Sequence, residues 1–181
     1  FAQAMEKFNY KANYTYCYCT KSSHFSFILE EALRNNVHIE TSSAFDIPIV
    51  RTLFERGRIS KDTYILCNGF KMPLYTDSIA ALINEGFKNC IPILDKLSEI
   101  DLYDQQVSGN YQVGIRVASD EEPKFEFYTS RLGIRYNDIV PFYKEKIAGN
   151  ERASLKMLHF FINTGIKDTS YYWSELSRFV F

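Results

Sequence analysis

Strand-like and helix-like segments alternate along nearly the whole sequence, with one pair about every 25 residues. The strand-like segments are rich in β-branched and aromatic residues and span 13–20, 37–41, 63–67, 89–94, 111–118 and 155–161. Amphipathic helical patterns follow them at about 24–35, 42–56, 74–85, 97–107, 137–148 and 171–180, and a short helix opens the chain at 1–8. Because consecutive parallel strands need a helical crossover, this alternation predicts an α/β fold with a parallel sheet.

The ends of the strands favour a barrel over a doubly wound open sheet. No glycine-rich G-x-G-x-x-G turn follows the first strand, so the main support for a dinucleotide-binding fold is missing. Polar or charged residues close nearly every strand: Lys21, Glu40, Asn68, Asp95, Arg116 and Thr164. A ring of such groups is typical of barrel active sites. We predict a parallel β/α (TIM-type) barrel that is incomplete, with about six of its eight βα units.

Composition narrows the class of protein. The chain has 181 residues, of which 46% are hydrophobic, and this is enough to form one sizeable core. A net charge of −1 with scattered Lys and Arg argues against nucleic-acid binding, and no apolar run approaches the length of a membrane span. The sequence starts at Phe1 without a methionine, and residues 178–181 resemble the apolar face of a helix. We therefore expect a fragment of a longer protein.

Four cysteines lie in strand-like segments and show no C-x-x-C spacing: Cys17, Cys19, Cys67 and Cys90. This placement is typical of reduced core thiols in a cytoplasmic protein, and it argues against a zinc or other metal site.

Lys21 stands at the carboxyl end of the first strand, directly before Ser22 and Ser23, which are good helix N-cap residues. In α/β architectures this edge carries functional sites. A lysine in apolar and aromatic surroundings has a lowered pKa and can form an imine with a carbonyl compound. A solvated loop lysine remains the alternative on local sequence alone.

Six segments together resemble the successive strand ends of one enzyme family. They are Tyr18-Cys-Thr-Lys21, Ile39-Glu-Thr-Ser-Ser43-Ala-Phe-Asp46, Ile65-Leu-Cys-Asn-Gly-Phe-Lys71, Gly114-Ile-Arg116-Val-Ala-Ser119, Ser130-Arg-Leu-Gly133 and Leu158-His-Phe-Phe-Ile-Asn-Thr-Gly165. In this order, from Tyr14 onward, the chain resembles the biosynthetic arginine decarboxylases. These are pyridoxal 5′-phosphate (PLP) enzymes of the alanine-racemase-like group (fold type III). The resemblance implies that residues 1–181 are part of a PLP-binding barrel domain, and that the family's C-terminal β domain lies outside this chain.

The resemblance also implies site residues. Lys21 matches the lysine that holds PLP as an imine, and we expect it to be partly buried and near Arg116. Glu40 matches an acidic position that orients this amine; capping of the helix start at 42–46 remains open as its alternative. Arg116 matches an arginine beside the cofactor ring, and Val113, Ile115 and Val117 around it argue against an ordinary surface arginine. Thr164, with Gly165, matches a hydroxyl position near the phosphate.

One position departs from the family. Phe161 stands where the family usually has a histidine stacked on the pyridine ring, and phenylalanine can stack but cannot carry a proton. His159 points the same way one layer deeper. We interpret Lys71 as a solvated lysine in a structural strand-to-helix turn.

The implied function is PLP-dependent decarboxylation of arginine to agmatine and carbon dioxide in polyamine (spermidine) biosynthesis. The resemblance implies a small-molecule amino-acid substrate and a homo-oligomer of the complete protein, with no nucleic-acid or membrane partner. Dependence on magnesium stays open. Two groups that the family requires, an acidic partner of the pyridine nitrogen and a glycine-rich phosphate loop, are absent from these residues, so this segment alone is expected to be inactive. The alternatives are decarboxylation of another basic or diamino acid, and a non-catalytic PLP-binding barrel.

Overall fold

Six parallel strands form one sheet in the computed structural model, which describes residues 2–118, 132–161, 170, 173, 174 and 177. The strands are β1 (Cys17–Cys19), β2 (His38–Thr41), β3 (Ile65–Cys67), β4 (Cys90–Leu94), β5 (Tyr111–Arg116) and β6 (Ala153–His159). Each strand pairs in parallel with the next one along the chain. A doubly wound sheet would reverse this order at its switch point, whereas a β/α barrel does not. The predicted α/β class and barrel-type order are confirmed.

One helix precedes β1, and the others occupy the connections between the strands. They are α1 (Ala2–Lys7), α2 (Ser26–Leu33), α3 (Ile47–Glu55), α4 (Pro73–Asn84), α5 (Glu99–Gln106) and α6 (Tyr136–Phe142), which continues as a π-helical turn (Tyr143–Ile147). Pro141 lies inside α6, where it has no N–H to donate. The sixth predicted helix, 171–180, lies largely outside the described residues. In the part of the chain that is described, no helix is long and apolar enough to cross a membrane.

The main core lies between the sheet and the helices. Ile39, Ile65 and Val113 project from the strands and are at most 1% exposed, as are Val50 and Ile79 from the helices. This burial is expected because each parallel strand is covered on the helix side.

The opposite face of the sheet is also packed near its centre. Gly114 lies in register with Ile93 and Met157, and a Cβ at Gly114 would come within 2.5 Å of the Ile93 Cδ1 atom. The absence of a side chain at Gly114 leaves room for the side chains of Ile93 and Met157 on the neighbouring strands.

The four cysteines are free, as predicted. Cys67 and Cys90 are buried, with 3.7 Å between their Sγ atoms, whereas Cys17 and Cys19 are only half-buried. The separation of 3.7 Å exceeds the length of a disulfide bond, so this pair consists of two thiols.

The turn after β3 depends on Gly69, which has φ +91° and would place a Cβ against the Ser42 carbonyl. We expect Gly69→Ala to lower the free energy of unfolding by about 2 kcal/mol or more, because it adds left-handed strain to a backbone clash. Chemical denaturation of the complete natural protein measures this change. The matched control is Gly109→Ala, where a Cβ would have no heavy atom within 4 Å and φ is not positive, so stability should be unchanged or slightly higher. Equal stability of the two variants would contradict this account of the turn.

Candidate functional site at the carboxyl ends of the strands

Strand register brings the predicted polar residues to one edge of the sheet. Glu40 on β2 lies opposite Cys19 on β1, and Arg116 on β5 lies opposite His159 on β6. Asn68 and Asp95 directly follow β3 and β4. Parallel strands place all their carboxyl ends on the same side, so these side chains collect around one interior.

Glu40 is held inside this edge by its neighbours. The Asn68 side-chain amide donates a hydrogen bond to Glu40 Oε1 at 3.0 Å, and Cys19 Sγ lies 4.0 Å from the same oxygen. Burial raises the pKa of Cys19 and the Glu40 charge raises it further, which keeps this thiol protonated. The alternative role for Glu40, as a helix cap, is not what the structure shows, because another carboxylate occupies that position.

That carboxylate belongs to Asp46, whose side chain is 1% exposed. Asp46 Oδ2 accepts hydrogen bonds from the backbone N–H groups of Ser42 (2.7 Å) and Ser43 (3.0 Å), and Asp46 Oδ1 lies 3.0 Å from His24 Nε2. Burial raises the pKa of Asp46, but the hydrogen bonds from Ser42, His24 and Ser43 more than offset it and hold the pKa below its ordinary value. The carboxylate thus joins the loop after β1 to the loop after β2.

Lys21 lies at the predicted carboxyl end of β1, in a single 3₁₀ turn (Thr20–Ser22). The neighbouring Thr20 is buried, and its hydroxyl donates to the Glu40 carbonyl at 3.1 Å, so the backbone beside the lysine is anchored to β2. The Lys21 side chain itself is exposed. The expected partial burial of this amine is therefore not seen in the chain as described.

Lys71 corrects an interpretation made from the sequence. It is not solvated: its side chain is 0% exposed. Its ammonium donates hydrogen bonds to the carbonyls of Gly69 (2.8 Å) and Ile93 (2.7 Å), and lies 3.9 Å from Asp95 Oδ2. The left-handed turn at Gly69 redirects the chain after β3, and this brings Lys71, four positions beyond the strand, back into the interior.

Asp95 lies between two cations. Its side chain is 1% exposed; Oδ1 lies 3.7 Å from Arg116 Nη1, whereas the Lys71 ammonium approaches Oδ2. The Arg116 side chain is only 13% exposed, so the predicted covered position is confirmed. Burial raises the pKa of Asp95, while Lys71 and Arg116 lower it. Burial likewise lowers the pKa of Lys71, against the opposing effects of Asp95 and Glu99.

His159 completes the group at β6. Burial lowers the pKa of His159; nearby Glu40 opposes this effect, and Arg116 and Lys71 add to it. The imidazole is therefore neutral near pH 7, with one ring nitrogen able to accept a hydrogen bond. Phe161, two residues on, is 50% exposed, and Thr164 lies outside the described residues.

Several buried polar atoms in this group have no hydrogen-bond partner within the described ranges: Asn68 Oδ1, both carboxylate oxygens of Asp95, and His159 Nδ1. Buried polar atoms in native proteins are almost always satisfied, so their clustering at one edge marks a place where a ligand or water binds. Within the same ranges, no three His, Cys, Asp or Glu side chains are grouped so that they could hold a metal ion, and nothing there supports a magnesium site.

No family model matches the chain. Among curated proteins, it is 24% identical over 178 residues to a biosynthetic arginine decarboxylase from Bacteroides thetaiotaomicron, covering 92% of this chain and 28% of the relative. It is 26% identical over 199 residues to a biosynthetic arginine decarboxylase from Shewanella woodyi, covering 99% of this chain and 30% of the relative. The chain is thus similar in sequence to biosynthetic arginine decarboxylases. It spans less than a third of the length of the curated relatives it matches.

Solved structures share the fold. Diaminopimelate decarboxylase from M. jannaschii, in co-complex with L-lysine, superposes with a TM-score of 0.77 at 14% identity, over 97% of this chain and 41% of that one. Arginine decarboxylase from Paramecium bursaria Chlorella virus superposes with a TM-score of 0.70 at 15% identity, over 97% of this chain and 44% of that one. An SrLDC mutant solved in complex with PLP superposes with a TM-score of 0.71 at 17% identity, over 98% of this chain and 42% of that one. The chain therefore has the barrel architecture of these decarboxylases.

The Asp46 link generates a prediction about pH. We expect Asp46→Asn to lower the free energy of unfolding near pH 7 by about 1–3 kcal/mol, because charge-assisted hydrogen bonds to two backbone N–H groups are lost. The pKa of Asp46 is lower in the folded than in the unfolded state, so its ionised carboxylate stabilises the fold. This stabilisation is complete above the unfolded pKa of about 3.9 and is lost as the pH falls through the folded pKa. The difference in the free energy of unfolding between wild type and Asp46→Asn should therefore become smaller below about pH 4.

Denaturation curves over a range of pH values provide the measurement. Asp62→Asn is the control, since Asp62 is 72% exposed in its side chain and lies 3.5 Å from Lys88. That change should alter stability by less than about 0.5 kcal/mol. A difference for Asp46→Asn that stays constant down to about pH 2 would show that ionisation of Asp46 is not the cause.

Proposed function

We propose that the complete protein is a PLP-dependent decarboxylase that converts arginine to agmatine and carbon dioxide, with Lys21 as the residue that carries the cofactor. The observation that carries this proposal is the group of strand-end side chains on a barrel of decarboxylase type. Lys21, Glu40 and Arg116 lie at the carboxyl ends of β1, β2 and β5, where barrel enzymes hold their ligands.

The residues present fit PLP. A primary amine at Lys21 is the group that reacts with an aldehyde, and the largely buried guanidinium of Arg116 can donate to an anionic oxygen. The unsatisfied Asn68 Oδ1 and His159 Nδ1 atoms offer further polar contacts in the interior. Thr164 is proposed to contribute a hydroxyl near the phosphate. When bound, PLP supplies an electron sink for the pair released as a carboxylate leaves as carbon dioxide.

The chain's own groups then have separate tasks. Glu40, fixed by the Asn68 amide, is proposed to orient the Lys21 amine. Arg116 contributes a permanent positive charge beside the cofactor, because guanidinium does not lose its proton in proteins. His159, held neutral by burial, can accept a hydrogen bond there.

Arginine is proposed as the substrate because the curated relatives are arginine decarboxylases. The neighbouring structures include diaminopimelate, lysine and arginine decarboxylases, so another basic or diamino acid is the alternative within this class. A role in polyamine biosynthesis, a cytoplasmic location, a further β domain and assembly into a homo-oligomer belong to the same proposal for the complete protein.

Phe161 favours a second candidate, a PLP-binding barrel without decarboxylase activity. Its ring is half exposed at the end of β6 and can stack, but it carries no proton. The two candidates differ in one measurement, the release of carbon dioxide from arginine by the PLP-loaded complete protein. Release above the rate for lysine and diaminopimelate supports the arginine decarboxylase, and PLP binding without release from any of the three supports the second candidate.

The position of the cofactor is tested by borohydride reduction of the complete natural protein with PLP, followed by peptide mass mapping. We expect a phosphopyridoxyl group on Lys21 and its loss in Lys21→Ala. Lys88→Ala is the control, because Lys88 is 76% exposed in its side chain and pairs with exposed Asp62. A folded protein that leaves Lys21 unmodified in excess PLP would rule out the proposed chemistry.

Phe161 gives a further prediction. If its ring packs on the cofactor, Phe161→Ala should weaken PLP binding about three- to tenfold, and Phe161→His should bind close to wild type, since both aromatic rings can stack. Fluorescence titration with PLP measures the dissociation constants. Phe8→Ala is the control for loss of an exposed phenylalanine, since Phe8 is 75% exposed on the opening segment. Unchanged affinity in Phe161→Ala would remove Phe161 from the cofactor site.

A further inference from the structure

The buried charges around Asp95 are not explained by the proposed function alone. Lys71, Asp95 and Arg116 have side chains that are 0%, 1% and 13% exposed, and buried Glu99 accepts a hydrogen bond from the Asp95 N–H at 2.9 Å. Ionised groups lose favourable hydration when buried, so each needs a compensating partner. Two cations and two carboxylates here balance in charge.

Lys71 is fixed more firmly than a simple ion pair requires. Two of its three ammonium protons go to the carbonyls of Gly69 and Ile93, and the ammonium lies 5.7 Å from the centre of the Tyr75 ring. Tyr75 is itself held by its hydroxyl, which donates to the Asn68 carbonyl at 3.0 Å. The ammonium therefore has little freedom to move toward or away from Asp95.

Asp95 is shared between its two cations. Oδ2 lies 3.9 Å from the Lys71 ammonium and Oδ1 lies 3.7 Å from Arg116 Nη1, and neither oxygen accepts a hydrogen bond from the described residues. Because the two distances are nearly equal, the attractions of the two cations for the carboxylate are similar. Neither cation forms a hydrogen bond to the carboxylate, so Arg116 and Asp95 do not form a bidentate hydrogen-bonded pair.

We propose that Lys71 is a positioning residue for Arg116: by holding one side of Asp95, it keeps the Arg116 guanidinium from pairing fully with that carboxylate. The N–H donors of Arg116 would then stay available to an anionic group of the cofactor. This inference rests on the proposed function, since it assumes that PLP is the ligand beside Arg116.

The surroundings of Arg116 support this role. His159, opposite Arg116 in register, is neutral and does not compete for its charge. Glu40 is hydrogen-bonded to Asn68, Glu99 is occupied by the Asp95 N–H, and Lys96 is exposed beside the Phe70 ring. Lys96 affects the pKa of Asp95 less than Lys71 and Arg116 do, so Lys71 is the buried described cation placed to compete with Arg116 for Asp95.

The test uses Lys71→Met, Asp95→Asn and the double variant in the complete natural protein. We measure the dissociation constant for PLP and the position of its visible absorption band. Lys71→Met should weaken PLP binding about tenfold or more and shift the band, because Arg116 is drawn onto Asp95. In the Asp95→Asn background, adding Lys71→Met should change the affinity by less than about threefold, since no carboxylate remains to be shared.

Lys96→Met is the matched control: it removes a lysine adjacent in sequence to Asp95 and should leave both readouts unchanged. If Lys71→Met fails to fold, Lys71→Gln replaces it in both comparisons, with the same expected results. A folded Lys71→Met with wild-type affinity and spectrum, or a double variant that binds about tenfold more weakly than Asp95→Asn, would overturn the proposal. A wild type that binds no PLP contradicts the proposed function instead.

Discussion

Parallel pairing of each strand with the next is the constraint on which the rest of the structure depends. It requires a crossover after every strand, and it places every carboxyl end at the same edge of the sheet. Residues from β1 to β6 that are far apart in sequence, such as Glu40 and His159, therefore share one interior. The chemistry proposed for this chain uses that convergence, because no single segment contains more than two of the groups involved.

Charged side chains are buried at this edge of the sheet. Asp95, Lys71 and Arg116 are nearly inaccessible to water, yet they are arranged at ion-pair distances of 3.7 and 3.9 Å and not as closed hydrogen-bonded pairs. Such an arrangement costs stability relative to apolar packing, since the desolvation of each ion is only partly offset. Its retention is understandable if one member, Arg116, must keep donors free for a ligand, and this reason links the architecture to the proposed cofactor site.

The departures from expectation also follow from physical causes. Lys21 is at the predicted place but is exposed, and the Thr20 hydroxyl holds the backbone beside it against β2. Asp46, which the sequence marks only as part of a helix start, joins the loops that follow β1 and β2. A histidine stacked on a ligand offers both a flat ring and a polar nitrogen. Here the two features lie on different residues: Phe161 has an exposed ring, and His159 has a buried ring nitrogen.

The sequence by itself determined the order of strands and helices, the barrel class and the strand-end positions of Lys21, Glu40 and Arg116. Periodicity and turn residues are local properties, so these could be read directly. Tertiary structure alone decided the burial of Lys71, because Gly69 adopts a left-handed conformation that redirects the chain and returns the lysine to the interior. Tertiary structure also decided which cations, Lys71 and Arg116, lie at ion-pair distance from Asp95. Such contacts join residues from separate βα units, and the distances between their side chains are set by sheet register, which no local pattern encodes.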